Sequence, residues 1–270
     1  MTTKPETSKF DTVLYLKPES LAEWPSHYCA GCGHGIVQRL IAEVVDELDI
    51  RERAVCVSSI GCTVTSYNYF NFDGLESAHG RAPSVAAAIK RCRPYLVPFT
   101  LQGDGDLAAI GTAEMVHTCV RGENITIIFV NNATYGMTGG QMAPTTLIGM
   151  YSTSTPGGRE PALAGYPIRV CEMLATLDGP AYITRVSLHN PAAVRKTKQA
   201  LELAFRTQLA GLGLSLVEIL SPCPVNWKLE PVAALEWLVA NMIPQYPLGE
   251  FKVIEAVAAL KKGDQTCMPK

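Results

Sequence analysis

Two polar clusters stand where apolar strands should end. Gly103-Asp104-Gly105-Asp106 follows the run Leu96–Leu101. Asn131-Asn132 follows Ile125–Val130, with the 24 residues Leu107–Val130 between the two clusters. Carboxylate and carboxamide oxygens at the ends of neighbouring parallel strands suit a hard divalent cation such as Mg2+, which keeps few protein ligands and binds substrate phosphates beside them. Asp104 and Asn132 are the side-chain candidates, and the backbone carbonyl of Thr134 can complete the set. The glycines let the backbone approach a phosphate closely. Gly105 and Asp106 open the next helix, so their N–H groups favour the same anion. Alone, each half reads as a turn or an Asx cap. Together they are built to anchor a diphosphate through Mg2+.

The cysteines are the second group with chemical potential. Cys29-Ala30-Gly31-Cys32 is surrounded by glycines, Cys62 sits in Ser59-Ile60-Gly61-Cys62 at a strand end, and Cys223 lies in Ser221-Pro222-Cys223-Pro224. Four thiolates can hold a [4Fe-4S] cluster, with neighbouring backbone N–H groups reaching the sulfurs. A redox dithiol lacks the strand that should precede it. A zinc site with four cysteines stays open, although two paired knuckles are its commoner form. Cys56, Cys92, Cys119 and Cys171 fall in apolar or helical segments and read as core packing.

These groups need a scaffold. Helical spacing of apolar residues covers His34–Leu48, Ala82–Arg93, Leu107–Val120, a region near Ile168–Leu177, and Ala192–Leu209. Short apolar runs predict strands at Ala54–Ile60, Val97–Gln102, Ile125–Val130, Ala181–Val186 and Leu214–Leu220. The alternation implies an α/β fold, a mostly parallel sheet with helices on both faces and ligands beyond the strands' C-terminal ends. Tyr135–Pro161 is too long for an ordinary connection, so it should be functional. The expected organisation is a tail over residues 1–23, one domain over 24–225, and a C-terminal tail over 226–270 packing on this domain or on a partner.

Composition narrows the function. Apolar residues at 47% against 18% charged describe a well-buried core. A net charge of -2 gives no electrostatic case for nucleic acid or an anionic membrane. Met1–Asp11 lacks the apolar core of a secretory signal, and no run approaches a membrane span. Nine cysteines, an odd number in a chain of this size, do not form a disulfide framework and suit a reducing, cytoplasmic setting.

Gly103-Asp104-Gly105 with the following Asn131-Asn132 resembles the signature of thiamine-diphosphate enzymes, whereas no Gly-x-Gly-x-x-Gly supports a dinucleotide site. Tyr28-Cys29-Ala30-Gly31-Cys32-Gly33-His34-Gly35, Gly61-Cys62, His79-Gly80-Arg81 and Tyr135-Gly136-Met137-Thr138-Gly139-Gly140-Gln141 extend the likeness. From Trp24 to Pro224 the chain resembles the β subunit of 2-oxoacid:ferredoxin oxidoreductases. The resemblance implies the thiamine-diphosphate-binding fold. It implies Mg2+ on Asp104, Asn132 and Thr134, and a [4Fe-4S] cluster on Cys29, Cys32, Cys62 and Cys223. It also implies a thiamine diphosphate lined by Ile60, Gly61, Cys62, Thr63, His79, Gly105, Asp106, Gly136 and Met137.

The implied reaction is CoA-dependent oxidative decarboxylation of a 2-oxoacid to acyl-CoA and CO2, with electrons leaving through the cluster to ferredoxin. The residue activating the aminopyrimidine, a Glu, is expected on a partner α subunit, with γ or δ subunits as further partners. No Cys-x-x-Cys-x-x-Cys run provides additional clusters. Some relatives carry lysines at the positions of Thr65 and Gly139, suited to a substrate with a second carboxylate. Their absence here weakens 2-oxoglutarate and leaves branched-chain 2-oxoacids beside it. The competing readings are a non-redox thiamine-diphosphate decarboxylase or synthase, and an electron-transfer protein with a structural cation.

Overall fold

The β-branched runs of the sequence become strands buried on both faces, as a parallel sheet demands. The computed structural model describes residues 16–262; the remainder of the expected tails, residues 1–15 and 263–270 with Cys267, lies outside the described residues. Seven strands form one sheet: β1 (Ala54–Ser58), β2 (Asp73–Glu76), β3 (Val97–Gly103), β4 (Thr126–Asn131), β5 (Pro180–Ser187), β6 (Leu214–Leu220) and β7 (Gly249–Val253). Their order is β2-β1-β3-β4-β6-β5-β7. Every neighbour is parallel except β7, which runs antiparallel to β5.

Helices cover both faces. On one side lie α1 (His34–Glu47), α6 (Pro191–Leu209) and α10 (Glu255–Lys261), meeting Phe99, Leu101, Ile128, Val130, Val217 and Ile219. On the other lie α2 (Ala82–Cys92), α3 (Thr112–Val120) and α5 (Val170–Ala175), meeting Val57, Ile127, Phe129, Ile183 and Leu216. The alternation of Ile127 and Phe129 against Ile128 and Val130 is the two-residue period of a strand shared between two cores. Asn190 starts α6: its Oδ1 accepts from Ala193 N–H at 2.8 Å, with Pro191 in the first helical position.

Short helices α4 (Pro161–Ala164), α7 (Pro224–Trp227), α8 (Pro231–Trp237) and α9 (Ile243–Gln245) lie in the connections and the C-terminal segment. A third small core, with Ala133, Leu147, Leu220, Leu238, Met242 and Tyr246, closes the C-terminal end of the sheet. The segment from Asn226 thus contributes a strand, three helices and core side chains, including Val257 and Leu260. None of the helices is long and apolar enough to cross a membrane, among the described residues.

The helix expected over Leu107–Val120 is broken. Asp106–Ile110 makes a wide π turn, and Gly111 separates it from α3. Gly111 packs on Gly80, whose φ is +78°; a Cβ on Gly80 would lie 2.6 Å from the Gly111 nitrogen. The two glycines therefore let the loop after β2 touch the start of this helix, and the π turn accommodates it.

β7 covers the edge of β5, and α10 follows it into the core. A chain ending at Tyr246 should lose both, exposing a strand edge and the apolar surface under Val257 and Leu260. Melting by circular dichroism should show a lower transition, and light scattering should show aggregation that the full chain lacks.

Candidate functional site

In a doubly wound sheet, ligands bind where successive connections leave in opposite directions. Here that crevice lies between β1 and β3, with the loops after β1, β2, β3, β4 and β6 around it. Asp104 follows β3 and is 2% exposed. Its Oδ1 accepts from Gly105 N–H at 2.9 Å, and its Oδ2 from Thr134 N–H at 3.2 Å and Thr145 Oγ1–H at 2.5 Å. Thr134 N–H also lies 3.2 Å from Asn132 Oδ1. One backbone donor therefore gathers the two side-chain oxygens that the sequence proposed as cation ligands.

All of these donors are neutral. Burial pushes the Asp104 carboxyl up to about 7, with the hydrogen bonds from Thr145, Gly105 and Thr134 offsetting part of that rise. A buried carboxylate without a cationic partner is costly, and a divalent ion on the same oxygens relieves it. The donor set fits Mg2+ on this ground.

Asn131 and Asn132 part company. Asn132 turns to the site, whereas Asn131 builds the turn behind it. Its Oδ1 accepts from Ala133 N–H at 3.1 Å, its Nδ2–H donates to Glu218 Oε1 at 2.8 Å, and Ala133 has φ 59°. Glu218 Oε2 in turn accepts from Arg185 Nε–H at 2.8 Å and Cys171 Sγ–H at 3.0 Å. Arg185 reaches Glu172 as well and lies over the rings of Tyr246 and Phe251.

Asp106, expected to present its backbone N–H group at the helix start, keeps its side chain for the fold. Its side chain is buried and points into the protein, accepting from Ser59 Oγ–H at 2.8 Å, Gly80 N–H at 2.6 Å, Gln102 Nε2–H at 2.5 Å and the ring of His79. One carboxylate thus joins the loops after β1, β2 and β3. His79 remains partly exposed at the crevice. Gly105 passes so close to Tyr135 that any Cβ there would collide with the ring. Ile60, Gly61 and Cys62 are half-buried in the loop after β1, with Gly61 at φ +127° and Thr63 buried beneath. The loop 135–141 is closed by Tyr135 N–H to Gln141 O and Gly140 N–H to Tyr135 O, and Met137 is 57% exposed.

The four loop cysteines come together. A Cβ on Gly31 would lie 2.6 Å from Pro231 Cβ and 3.2 Å from Pro224 Cγ, so the Cys29–Cys32 turn rests on the segment holding Cys223. A Cβ on Gly136 would lie 3.1 Å from Cys62 Sγ. Burial, and then the neighbouring thiols, push Cys62 up to about 12; burial foremost raises Cys32 to about 11, with Cys223 and Cys29 adding to it. Cys223 is raised as well, by burial first. Ionised together they would repel one another, so the set asks for a cationic group. Among the described residues no three His, Cys, Asp or Glu side chains surround a point as a single ion would need.

Of the remaining cysteines, Cys56, Cys119 and Cys171 are buried, as expected, but Cys92 is exposed at the end of α2. An amphipathic helix offers its last turn to solvent as readily as to the core. Sequence reasoning also missed Thr145, Asn226 and Trp227. Trp227 Nε1–H donates to Asn132 O at 3.0 Å, and the only advance signal was that a buried indole N–H needs a partner.

The fold and the Asp-Asn pair define a thiamine-diphosphate-binding domain, and residues 59–219 match the family described as thiamine pyrophosphate enzyme, C-terminal TPP binding domain. The chain is 47% identical over 246 residues to the ketoisovalerate oxidoreductase subunit VorA of Methanothermobacter marburgensis, covering 87% of this chain and 52% of that one. It spans about half the length of such relatives. It is 34% identical over 227 residues to the 2-oxoglutarate synthase subunit KorB of Archaeoglobus fulgidus, covering 84% of this chain and 79% of the relative. In fold it resembles the 2-oxoglutarate:ferredoxin oxidoreductase of Magnetococcus marinus, with a TM-score of 0.71, 24% identity, and coverage of 95% and 94%. The chain belongs to the 2-oxoacid:ferredoxin oxidoreductase family of thiamine-diphosphate enzymes.

Glu218 is the buried charge on which the Asn-Asn turn leans. Glu218→Ala would leave Arg185 with Glu172 as its remaining carboxylate and take the acceptor from Asn131 and Cys171, and should destabilise the protein by about 1–3 kcal/mol. Glu218→Gln, which keeps an acceptor for Asn131, should cost less, and chemical denaturation of the three proteins measures the difference.

Proposed function

We propose that this chain is the thiamine-diphosphate-binding subunit of a CoA-dependent 2-oxoacid:ferredoxin oxidoreductase. The observation that carries the reading is one edge of one sheet bearing both a buried cation-seeking carboxylate and four converging thiols. Asp104, Asn132 and the Thr134 carbonyl hold Mg2+ against the diphosphate. Ile60, Gly61, Cys62, Thr63, His79, Gly105, Asp106, Gly136 and Met137 line the cofactor, Asp106 by backbone and by steadying His79. Cys29, Cys32, Cys62 and Cys223 hold the [4Fe-4S] cluster. When bound, thiamine diphosphate supplies the nucleophilic carbon and electron sink for decarboxylation, and the cluster accepts electrons singly.

The chain's own residues orient these groups and exclude water beneath them; none of those named acts as a general acid or base on the substrate. The domain over 24–225, extended by the C-terminal segment, is one half of the cofactor cradle. A partner α subunit covers the other half and provides the activating Glu. Met137 and Val225, 57% and 61% exposed on either side of the Gly136–Asn226 contact, are apolar surface for it to cover. Electrons pass on to ferredoxin, directly or through further subunits.

A branched-chain 2-oxoacid is the favoured substrate. One relative named for ketoisovalerate shares 47% identity against 34% for one named for 2-oxoglutarate, and Thr65 and Gly139 offer no cation to a second carboxylate. Anaerobic co-purification of the complex, followed by 2-oxoacids with CoA and a viologen acceptor, should show reduction fastest with a branched-chain substrate. A complex that decarboxylates without containing iron would establish the non-redox reading instead. Asp104→Ala should abolish thiamine-diphosphate binding in a titration with Mg2+ while leaving the cluster spectrum intact.

The raised Asp104 carboxyl adds a pH dependence. In the metal-free fold its contribution to stability is present while it is protonated and fades as pH climbs from the usual carboxylate range through about 7. Mg2+ with thiamine diphosphate restores that loss. The rise in melting temperature they cause should therefore grow from about pH 4 to about pH 7 and level off above it. Asp104→Asn should flatten that growth.

A further inference from the structure

The short helix α7 follows directly on Cys223 and sends Asn226 and Trp227 back across the site. Asn226 Nδ2–H reaches Cys223 Sγ at 3.3 Å and Gly136 O at 2.9 Å. Trp227 Nε1–H reaches Asn132 O at 3.0 Å. One amide thus carries a donor for a thiol sulfur and a donor for the loop that lines the cofactor, and the next residue holds the cation loop. The fit is close: Gly140, at φ +85°, leaves room where a Cβ would come within 3.0 Å of Asn226 Oδ1. Gly136 itself is wedged between Cys62 Sγ and the amides of Asn132 and Asn226.

We propose that Asn226 is a positioning residue that fixes the [4Fe-4S] cluster against the cofactor loop and raises the cluster's reduction potential; this rests on the four loop cysteines being its ligands. A hydrogen bond to a ligand sulfur withdraws charge and favours the reduced, more negative state of the cluster. The second donor of the same amide holds the Gly136 carbonyl, so the Cys223 sulfur and the cofactor loop are joined through a single rigid planar group. Trp227 steadies only the cation side of that arrangement, through a backbone carbonyl, and touches no thiol in this way.

The test uses the complex purified anaerobically with its native partners. Asn226→Leu, of similar size but without donors, should keep the wild-type iron content and shift the cluster potential to a more negative value in an EPR-monitored redox titration. Its dissociation constant for thiamine diphosphate should rise roughly tenfold. Asn226→Gln, whose longer stem cannot serve both acceptors at once, should shift the potential in the same direction. Trp227→Phe should weaken thiamine diphosphate while leaving the potential where it is. A wild-type potential in iron-loaded Asn226→Leu or Asn226→Gln would overturn the proposal, as would an equal shift in Trp227→Phe. An iron-free wild-type complex would overturn the cluster reading and this inference with it, whereas the other outcomes leave that reading standing. Where the variants fail to assemble, isotope-labelled asparagine in the unaltered complex decides: pulsed EPR of the reduced cluster should register the side-chain amide, and no such coupling would refute the assignment.

Discussion

Asp104 is a carboxylate removed from water and given only neutral hydrogen-bond donors. A lone buried charge costs far more than a hydrogen bond returns, so this one has to be matched or neutralised. Much of the local architecture exists to keep it where it is. β3 and β4 are adjacent, which places Thr134 N–H over Asp104 and Asn132 together. The long loop after β4 folds back so that Thr145 caps the same oxygen, and Tyr246 O–H holds the Thr145 carbonyl at 2.5 Å. Buried Arg159 pins that loop by donating to the carbonyls of Pro144, Thr146, Ala164, Gly165 and Tyr166. An irregular segment of this length keeps one conformation because its backbone carbonyls have a charged donor inside the fold.

Glu218 poses the opposite problem and receives the opposite solution. It too is buried, but Arg185 lies against it and Asn131 and Cys171 complete its hydrogen bonds. Charge matched within the chain is structural; charge left unmatched is reserved for something that arrives. The contrast between the two carboxylates, Asp104 after β3 and Glu218 on β6 with β4 between them, therefore separates scaffold from site.

The readable parts of this protein were those written in local chemistry. Strands with continuous β-branched runs, such as Thr126–Asn131, and helices with a clear apolar stripe, such as His34–Glu47, lie close to where periodicity puts them. Asp104 and Asn132 were legible because their types and strand-end position carry the function. β2 was not, since Asp73-Gly74-Leu75-Glu76 becomes a strand by pairing with β1 at an exposed edge rather than by its own propensity. β7 was hidden for the same reason: what makes it a strand is the open edge of β5. The inward turn of Asp106 was equally illegible. Whether an aspartate beside a phosphate loop faces ligand or protein depends on Ser59, Gly80 and Gln102, which only the fold brings to it.

The anchoring end and the open end of the crevice are built to different standards. Asp104, Asn132 and Thr134 are buried, hydrogen-bonded and fixed by backbone donors. The loop 135–141 carries Met137 and Gly139 outward, and Val225 stands exposed on α7. A rigid anchor can be made by one chain, because strand ends and a helix start converge on it. The far side of a cofactor held at its diphosphate end has no strand left to supply a wall: β1 and β3, on either side of the crevice, already spend their C-terminal ends on Ser59–Thr63 and Asp104. A second chain can add that wall, and the apolar side chains at the rim are the kind of surface it would bury.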